Sequence, residues 1–232
     1  MSLLEIDGIN SYYGDSHVLF DVSMEVREGE VVALLGRNGA GKSTTLLTAA
    51  GVIHPHSGAI RFAGKTITRS PTHEIALLGL QLVPEERRVF GGLTVDENLR
   101  LAAFSASSPW PVDRIYEVFP RLAERRRSHG RHLSGGEQQM LTIARALIRN
   151  PPLILLDEPF EGLAPAIVQD LLRICDELAR QGQTMVIVEQ NVHAALKLCQ
   201  RVYILNNGHM VYHGSSQQLL DDHDTMSRYL GL

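Results

Sequence analysis

The sequence predicts an α/β fold with a mixed, largely parallel core sheet, an N-terminal antiparallel β subdomain and a helical insert. Three observations lead there. The apolar runs at residues 31–35 and 153–156 do not alternate, as expected of strands buried on both faces. From residue 146 onward such runs exchange with helical patterns, the order that lays helices on both sides of a parallel sheet. Residues of about 86–145 instead carry three helix signals in succession.

Taken in order, the first thirty residues read as strands. Val18, Phe20, Val22, Met24 and Val26 recur at every second position, the period of a half-buried strand. Arg27, Glu28, Gly29 and Glu30 form a turn. Residues 31–35 lead into a glycine-rich loop, and a helix is expected from Lys42 to Ala50 with Gly51 at its C-terminal cap. Residues 57–68 read as a hairpin, and residues 80–83 as a short strand stopped by Pro84. Thr94 and Glu97 form a capping box. Ser107, Ser108, Pro109, Trp110 and Pro111 read as a linker. A second helix is expected to place Val112, Ile115, Tyr116, Phe119 and Leu122 on one face, and a third starts at Ser134. Pro165 opens a helix with Ile167, Val168, Leu171, Leu172, Cys175 and Leu178 inward. Residues 185–188 form a strand and 191–198 a helix. Residues 202–205 and 210–212 flank Asn207-Gly208, a hairpin signal. The expected organisation is a single domain over 1–232. It has antiparallel β at about 1–30 and 55–70, an α/β core at 31–54, 71–85 and 146–232, and a helical subdomain at 86–145.

Composition narrows the function classes. At 232 residues, 44% hydrophobic and 21% charged, the chain is an ordinary globular one with a sizeable core. Lys and Arg total 22 against 26 Asp and Glu, a net charge of −4. No broad basic face for nonspecific nucleic-acid binding is expected. Cys175 and Cys199 belong to no CxxC pair and read as buried thiols of a reducing compartment. His54 and His56 have no matching ligand pair, so no zinc site is expected. No apolar run approaches the roughly 18 residues of a membrane span. The N-terminus lacks the basic and apolar regions of a signal peptide. A cytoplasmic protein is expected, held at any membrane by something else.

The residues Gly36, Arg37, Asn38, Gly39, Ala40, Gly41, Lys42 and Ser43 fit G-x-x-x-x-G-K-[ST], followed by Thr44. They lie between a buried strand and a helix, the context this phosphate loop requires. Glycines let backbone N–H groups surround phosphate oxygens, and the helix N-terminus adds partial positive charge. Lys42 is expected at the β- and γ-phosphates and Ser43 on magnesium. Asp157 and Glu158 close an apolar strand, at the carboxyl end where open α/β sheets bind ligands. Neighbouring side chains on a strand point opposite ways, so the two acids are expected to differ in role. Asp157 is the candidate for magnesium through water, and Glu158 the candidate base for the attacking water. Ser134, Gly135, Gly136 and Glu137 start a helix with an S-x-x-E capping box. Its two glycines lower helix propensity and leave N–H groups open to an anion.

In this order, the phosphate loop, Leu133-Ser134-Gly135-Gly136-Glu137-Gln138-Gln139 and the strand ending Asp157-Glu158 resemble the ATP-binding subunit of an ABC transporter. The resemblance spans almost the whole chain. It implies a P-loop NTPase fold, ATP and Mg2+ as cofactors, and a head-to-tail dimer. In such a dimer Ser134, Gly135, Gly136 and Glu137 of one subunit close over the nucleotide of the other. It also implies that Tyr13 stacks on adenine, against the alternative of a strand aromatic covering the sheet.

Departures from the usual family pattern narrow the branch. The usual glutamine nine residues before Thr94 is Glu85, and the usual switch histidine is Gln190. Phe160 stands where serine or threonine is usual. Pro84-Glu85-Glu86-Arg87-Arg88-Val89-Phe90, Glu161-Gly162-Leu163-Ala164-Pro165, Val188-Glu189-Gln190-Asn191 and Tyr229-Leu230-Gly231 resemble the LivF branch. That resemblance implies uptake of branched-chain amino acids, or of urea or short amides. The implied partners are a second ATPase (a related chain or a second copy), two membrane permease subunits and, indirectly, a periplasmic binding protein. The implied location is the inner face of the cytoplasmic membrane. Gln190 can hydrogen-bond a phosphate oxygen but cannot carry a proton as histidine does. Glu85 is a candidate outer magnesium ligand or a contact for a membrane partner. Arg121, Arg125, Arg126, Arg127 and Arg131 form either a solvated face or a contact for a partner or anionic headgroups. A soluble ATPase of DNA repair or translation and a non-hydrolysing nucleotide switch are the competing readings.

Overall fold

A computed structural model of the chain describes residues 2–104, 106 and 109–231. Strand β1 (Ser2–Tyr13) pairs antiparallel with β2 (Ser16–Arg27). The strand β3 (Val31–Leu35) belongs to a second sheet, while β4 (Ser57–Phe62) pairs with β1 and β5 (Lys65–Thr66) with β4. The second sheet also takes β6 (Leu80–Val83), β7 (Leu153–Asp157), β8 (Thr184–Glu189), β9 (Arg201–Asn206) and β10 (His209–Ser215). Its order is β10-β9-β3-β8-β7-β6, parallel throughout except that β10 runs against β9.

The unbroken apolar runs follow from this placement. Val31, Ala33, Leu35, Ile154, Leu156, Met185 and Ile187 point into one core, shared with the helices. Val32, Leu34, Leu153, Leu155, Val186 and Val188 point into another, shared with the antiparallel sheet. A strand between two cores has no solvent face, so alternation disappears.

Helix α1 (Lys42–Ala49) follows β3, and α2 (Thr72–Leu78) precedes β6. The insert holds α3 (Val95–Ala103), α4 (Val112–Val118), α5 (Pro120–Glu124) and α6 (Gly135–Leu147). Both expected capping boxes form, Thr94 with Glu97 on α3 and Ser134 with Glu137 on α6. Helix α7 (Pro165–Arg180) buries Leu171, Leu172, Ile174, Cys175 and Leu178. Two shorter helices follow, α8 (Val192–Leu196) against β8 and β3 and α9 (Ser216–Asp221) against β9 and β10.

Three local expectations change. The alternation in β2 holds for Val22, Met24 and Val26 and then breaks: Leu19 is buried, whereas Val18 and Phe20 are half-buried. Asp21 sits at φ 52° and the register with β1 shifts there, so a bulge re-aims the rest of the strand. The expected second helix is two helices, because Pro120 has no N–H to continue α4 and pushes Phe119 to φ −121°, ψ 73°. Its apolar face survives, with Ile115, Tyr116, Phe119 and Leu122 all in the core. Of the expected linker, Ser107 and Ser108 lie outside the described residues. Trp110 is no loose linker residue: it is buried, and its indole N–H donates to Asn150 Oδ1 at 2.7 Å.

Candidate functional site

The phosphate loop leaves β3 at Leu35 and enters α1 at Lys42. Gly41 is the N-cap residue at φ 105°, and no side chain bonds the cap. The first N–H groups of α1 are thereby left for an anion. Lys42 is buried, and its Nζ donates to Gly36 O at 3.0 Å and Arg37 O at 3.3 Å. A cavity of about 380 Å3 opens over the loop, walled by Asn38, Gly39, Ala40, Gly41, Lys42, Ser43 and Thr44. Glu85, Glu158, Glu161 and Gln190 line its other side.

The two strand-end carboxylates meet adjacent residues of that loop. Ser43 Oγ donates to Asp157 Oδ1 at 3.0 Å. Glu158 Oε1 lies 3.3 Å from Lys42 Nζ, and its Oε2 accepts from Gln190 Nε2 at 2.8 Å. Their different partners do not come from strand alternation alone. Glu158 has left the strand, with φ 46° and its N–H donated to Val188 O at 3.0 Å. A non-glycine residue in this conformation carries strain of order 1–3 kcal/mol, tolerated where the surroundings impose it.

Charge is crowded here. Burial pushes the Asp157 carboxyl up to about 6, aided by the charges of Glu158 and Glu85 and opposed by Ser43 and Lys42. Burial also works to raise Glu158, but hydrogen bonds from Glu161 and Gln190 and the Lys42 ammonium outweigh it, holding Glu158 below its usual value. Glu161 shares that hydrogen bond and is pushed up to about 7 by it, by burial, and by the charges of Glu158, Glu85 and Glu189. One proton between the Glu158 and Glu161 carboxyls accounts for both directions.

Glu161 and Glu189 lie in segments that carry the branch resemblance, but the sequence assigned neither a chemical role. Glu189 ends β8, is buried, and accepts from Phe160 N–H at 3.1 Å and Asn191 N–H at 3.3 Å. It therefore holds the loop that carries Phe160 and Glu161. For Glu189 a further signal is an acid closing an apolar strand next to Gln190.

Tyr13, at the end of β1, is 52% exposed. It lines a neighbouring cleft of about 960 Å3 together with Ser43, Glu85 and Asp157. Tyr13 and the phosphate loop thus share a wall rather than one cavity.

Ser134, Gly135, Gly136 and Glu137 do not line the cavity over the phosphate loop of their own chain. Ser134 N–H donates to Glu137 Oε2 at 2.7 Å, and Glu137 Oε1 also takes Arg125 Nε at 3.1 Å. Gly136 has a packing reason as well as the anion reading: a Cβ there would lie 2.7 Å from Ile167 Cγ2, whereas one on Gly135 would meet only the movable end of the Arg87 side chain. The basic cluster is largely paired within the chain, Arg121 with Asp170 at 2.8 Å, Arg125 with Glu137, and Arg126 with Asp96 at 3.5 Å.

The donors suit a hard cation with few protein ligands. Ser43 and Asp157 offer oxygens beside the phosphate loop. Among the described residues, no group of three or more His, Cys, Asp or Glu could hold a metal alone. Mg2+ fits that pattern, since it takes one or two protein oxygens plus phosphates and water. Among the described residues, no helix is long and apolar enough to cross a membrane.

Comparison with known proteins identifies the family. The family model described as ABC transporter matches residues 19–161. The chain is 45% identical over 232 residues to the high-affinity branched-chain amino acid transport ATP-binding protein BraG of Pseudomonas aeruginosa, covering 99% of this chain and 100% of that one. It is 37% identical over 236 residues to the lipopolysaccharide export system ATP-binding protein LptB of Escherichia coli, covering 100% and 98%. Its fold is similar to the crystal structure of the ADP conformation of an ATP-binding cassette of an ABC transporter. The TM-score is 0.85 at 27% identity, covering 98% of each chain.

Proposed function

The chain belongs to the ABC transporter family as an ATPase coupled to transport, and we propose that it is the motor subunit of an importer for branched-chain amino acids or a related small polar solute. The likeness to BraG supports the solute class. The single observation that carries the chemistry is Glu158 held between Lys42 and Gln190 above the phosphate loop.

In this reading the N–H groups of Gly36 to Thr44 wrap the phosphates of ATP, with Asn38, Gly39, Ala40 and Gly41 forming the wall. Tyr13 stacks on the base, worth roughly 1–3 kcal/mol. Lys42 turns from Glu158 and the loop carbonyls toward the β- and γ-phosphates. Ser43, and Asp157 through water, would hold Mg2+, with Glu85 as a candidate outer ligand. When bound, Mg2+ supplies charge neutralisation at the β- and γ-oxygens. Glu158 takes the proton of the water that attacks the γ-phosphorus, and the bond to the ADP oxygen breaks. Gln190 orients that carboxylate. Ser134, Gly135, Gly136 and Glu137 of a second ATPase subunit, a related chain or another copy, close over the nucleotide. Two membrane permease subunits and, indirectly, a periplasmic binding protein complete the importer on the inner face of the cytoplasmic membrane. No nucleic-acid partner is proposed.

The likeness to LptB favours one competing reading, a motor for export. Purification of the tagged chain from detergent-solubilised membranes of its native cell separates the two. Two multi-span proteins and a second ATPase, with amino-acid-stimulated turnover in the presence of a binding protein, support the importer. Multi-span partners whose complex turns over without any binding protein and moves lipid favour export. Recovery without membrane partners overturns both.

A further inference from the structure

Four aromatic rings stand in one column beside the phosphate loop. Tyr12 stacks on His17 with ring centroids 4.2 Å apart and planes 9° from parallel. His17 packs on Phe20 at 3.8 Å, and Phe20 stacks on His209 at 4.6 Å. The His17 ring is fixed in the column. Its Nε2 donates to Asn10 Oδ1 at 3.2 Å, an oxygen that also accepts from Asp21 N–H. Asn10 is itself anchored, its Nδ2 donating to Ser57 Oγ at 3.0 Å.

One residue joins this column to the phosphate loop. Gly208, next to His209, accepts from Phe20 N–H at 2.9 Å and donates its own N–H to Ala40 O at 2.9 Å. It sits at φ 77°, and a Cβ there would lie 2.7 Å from Phe20 Cδ2. At the other end of the column Tyr12 pairs with His17 across the hairpin, and the next pair is Tyr13 with Ser16. Successive residues of a strand face opposite ways, so Tyr13 leaves the face opposite the column.

We propose that the column of Tyr12, His17, Phe20 and His209, through the backbone of Gly208, positions Tyr13 relative to the phosphate loop and so sets the span between base and phosphates. The proposal rests on the reading of Tyr13 as the base platform. The physical reason is preorganisation. Tyr13 stands at a hairpin tip, half exposed, and a stacking surface that must be ordered on binding loses affinity. Besides its one bond from Gly208, the phosphate loop is anchored at both ends by β3 and α1, so loosening the column affects recognition of the base and leaves recognition of the phosphates.

The experiment measures binding of Mg-ATP and of Mg-tripolyphosphate, which has no base, to the intact protein and to three variants, alongside ATPase kinetics. His17→Ala is expected to weaken ATP about fivefold, in KM rather than kcat, with tripolyphosphate unchanged. His17→Phe, which keeps a ring in the column, is expected to restore ATP binding. Tyr13→Ala is expected to weaken ATP and spare tripolyphosphate. If His17→Ala binds ATP normally while Tyr13→Ala does not, the positioning role is overturned and the platform stands. If Tyr13→Ala has no effect, the platform fails and the proposal with it. An equal loss of both ligands in His17→Ala, unrescued by phenylalanine, also overturns it, as a general folding defect.

Discussion

Glu158 divides its carboxylate between Lys42 and Gln190, one oxygen 3.3 Å from the lysine and the other accepting from the amide at 2.8 Å. The histidine usual in the family would bring a titratable proton to this place, whereas Gln190 brings a fixed donor. The carboxylate is thereby oriented over the phosphate loop without a change of charge in its partner.

Removing the charge of Glu158 tests its role as base. Glu158→Gln is expected to bind ATP and to release phosphate at least ~100-fold more slowly. A phosphate-release assay beside nucleotide binding decides. Near-normal turnover would remove Glu158 from the mechanism.

Gln190 is expected to orient rather than to transfer a proton. Gln190→Ala should lower kcat about tenfold with little change in KM, the size of effect for a lost hydrogen bond of roughly 1.5 kcal/mol to a charged group. Glu158→Gln combined with Gln190→Ala should then be no slower than Glu158→Gln alone. Additive losses in that double variant would show that Gln190 acts elsewhere.

Hydrolysis itself is expected to depend on Lys42. Magnesium-dependent phosphate release should vanish in Lys42→Ala, and chelation of magnesium should abolish it in the unaltered protein. Absence of measurable release from the unaltered protein, assembled with its partners, would instead favour the non-hydrolysing switch.

Glu189 carries a pH prediction. Burial, chiefly, pushes its carboxyl from the ordinary 4.5 up to about 7, against the hydrogen bonds it accepts from Phe160 and Asn191. The folded protein therefore keeps a proton that the unfolded chain gives up. This contribution to stability is full below about 4.5 and is lost as pH rises through about 7. Melting temperatures of the unaltered protein and Glu189→Gln are expected to diverge over that window, the unaltered protein losing more stability than the variant, whose remaining slope comes from Asp157 and Glu161. Parallel curves would mean that Glu189 titrates normally.

Gly208 is the backbone test. Gly208→Ala places a Cβ in a left-handed residue packed against Val18 and Phe20. A destabilisation of at least about 1–3 kcal/mol is expected in denaturant melts. An unchanged midpoint would show that the hairpin shifts freely behind the loop.

What the residues reveal in order along the chain is what local backbone chemistry controls. The phosphate loop is legible because its glycines, lysine and serine must lie on one continuous turn between a strand and a helix. The caps at Ser134 and Thr94 are legible because each acts over three residues. The failure at Phe119 was legible too, since Pro120 restricts the residue before it, but the helical periodicity of the flanking apolar residues hid it. The bulge at Asp21 was not, because nothing in an alternating pattern states where the alternation stops.

The sequence by itself determined the kind of protein: an α/β nucleotide-binding chain of the ABC transporter family, with Lys42, Ser43, Asp157 and Glu158 in their motifs. Only the tertiary structure decided which groups meet. Ser43 and Asp157 are 114 residues apart in the chain, and Glu158 and Gln190 are 32 apart. Glu161 became a carboxyl partner of Glu158, Glu189 a buried prop beneath its loop, and Gly208 a brace behind Ala40. Motifs record constraints on neighbouring backbone, whereas burial, shared protons and ring stacking depend on distances through space that only the packed sheets set.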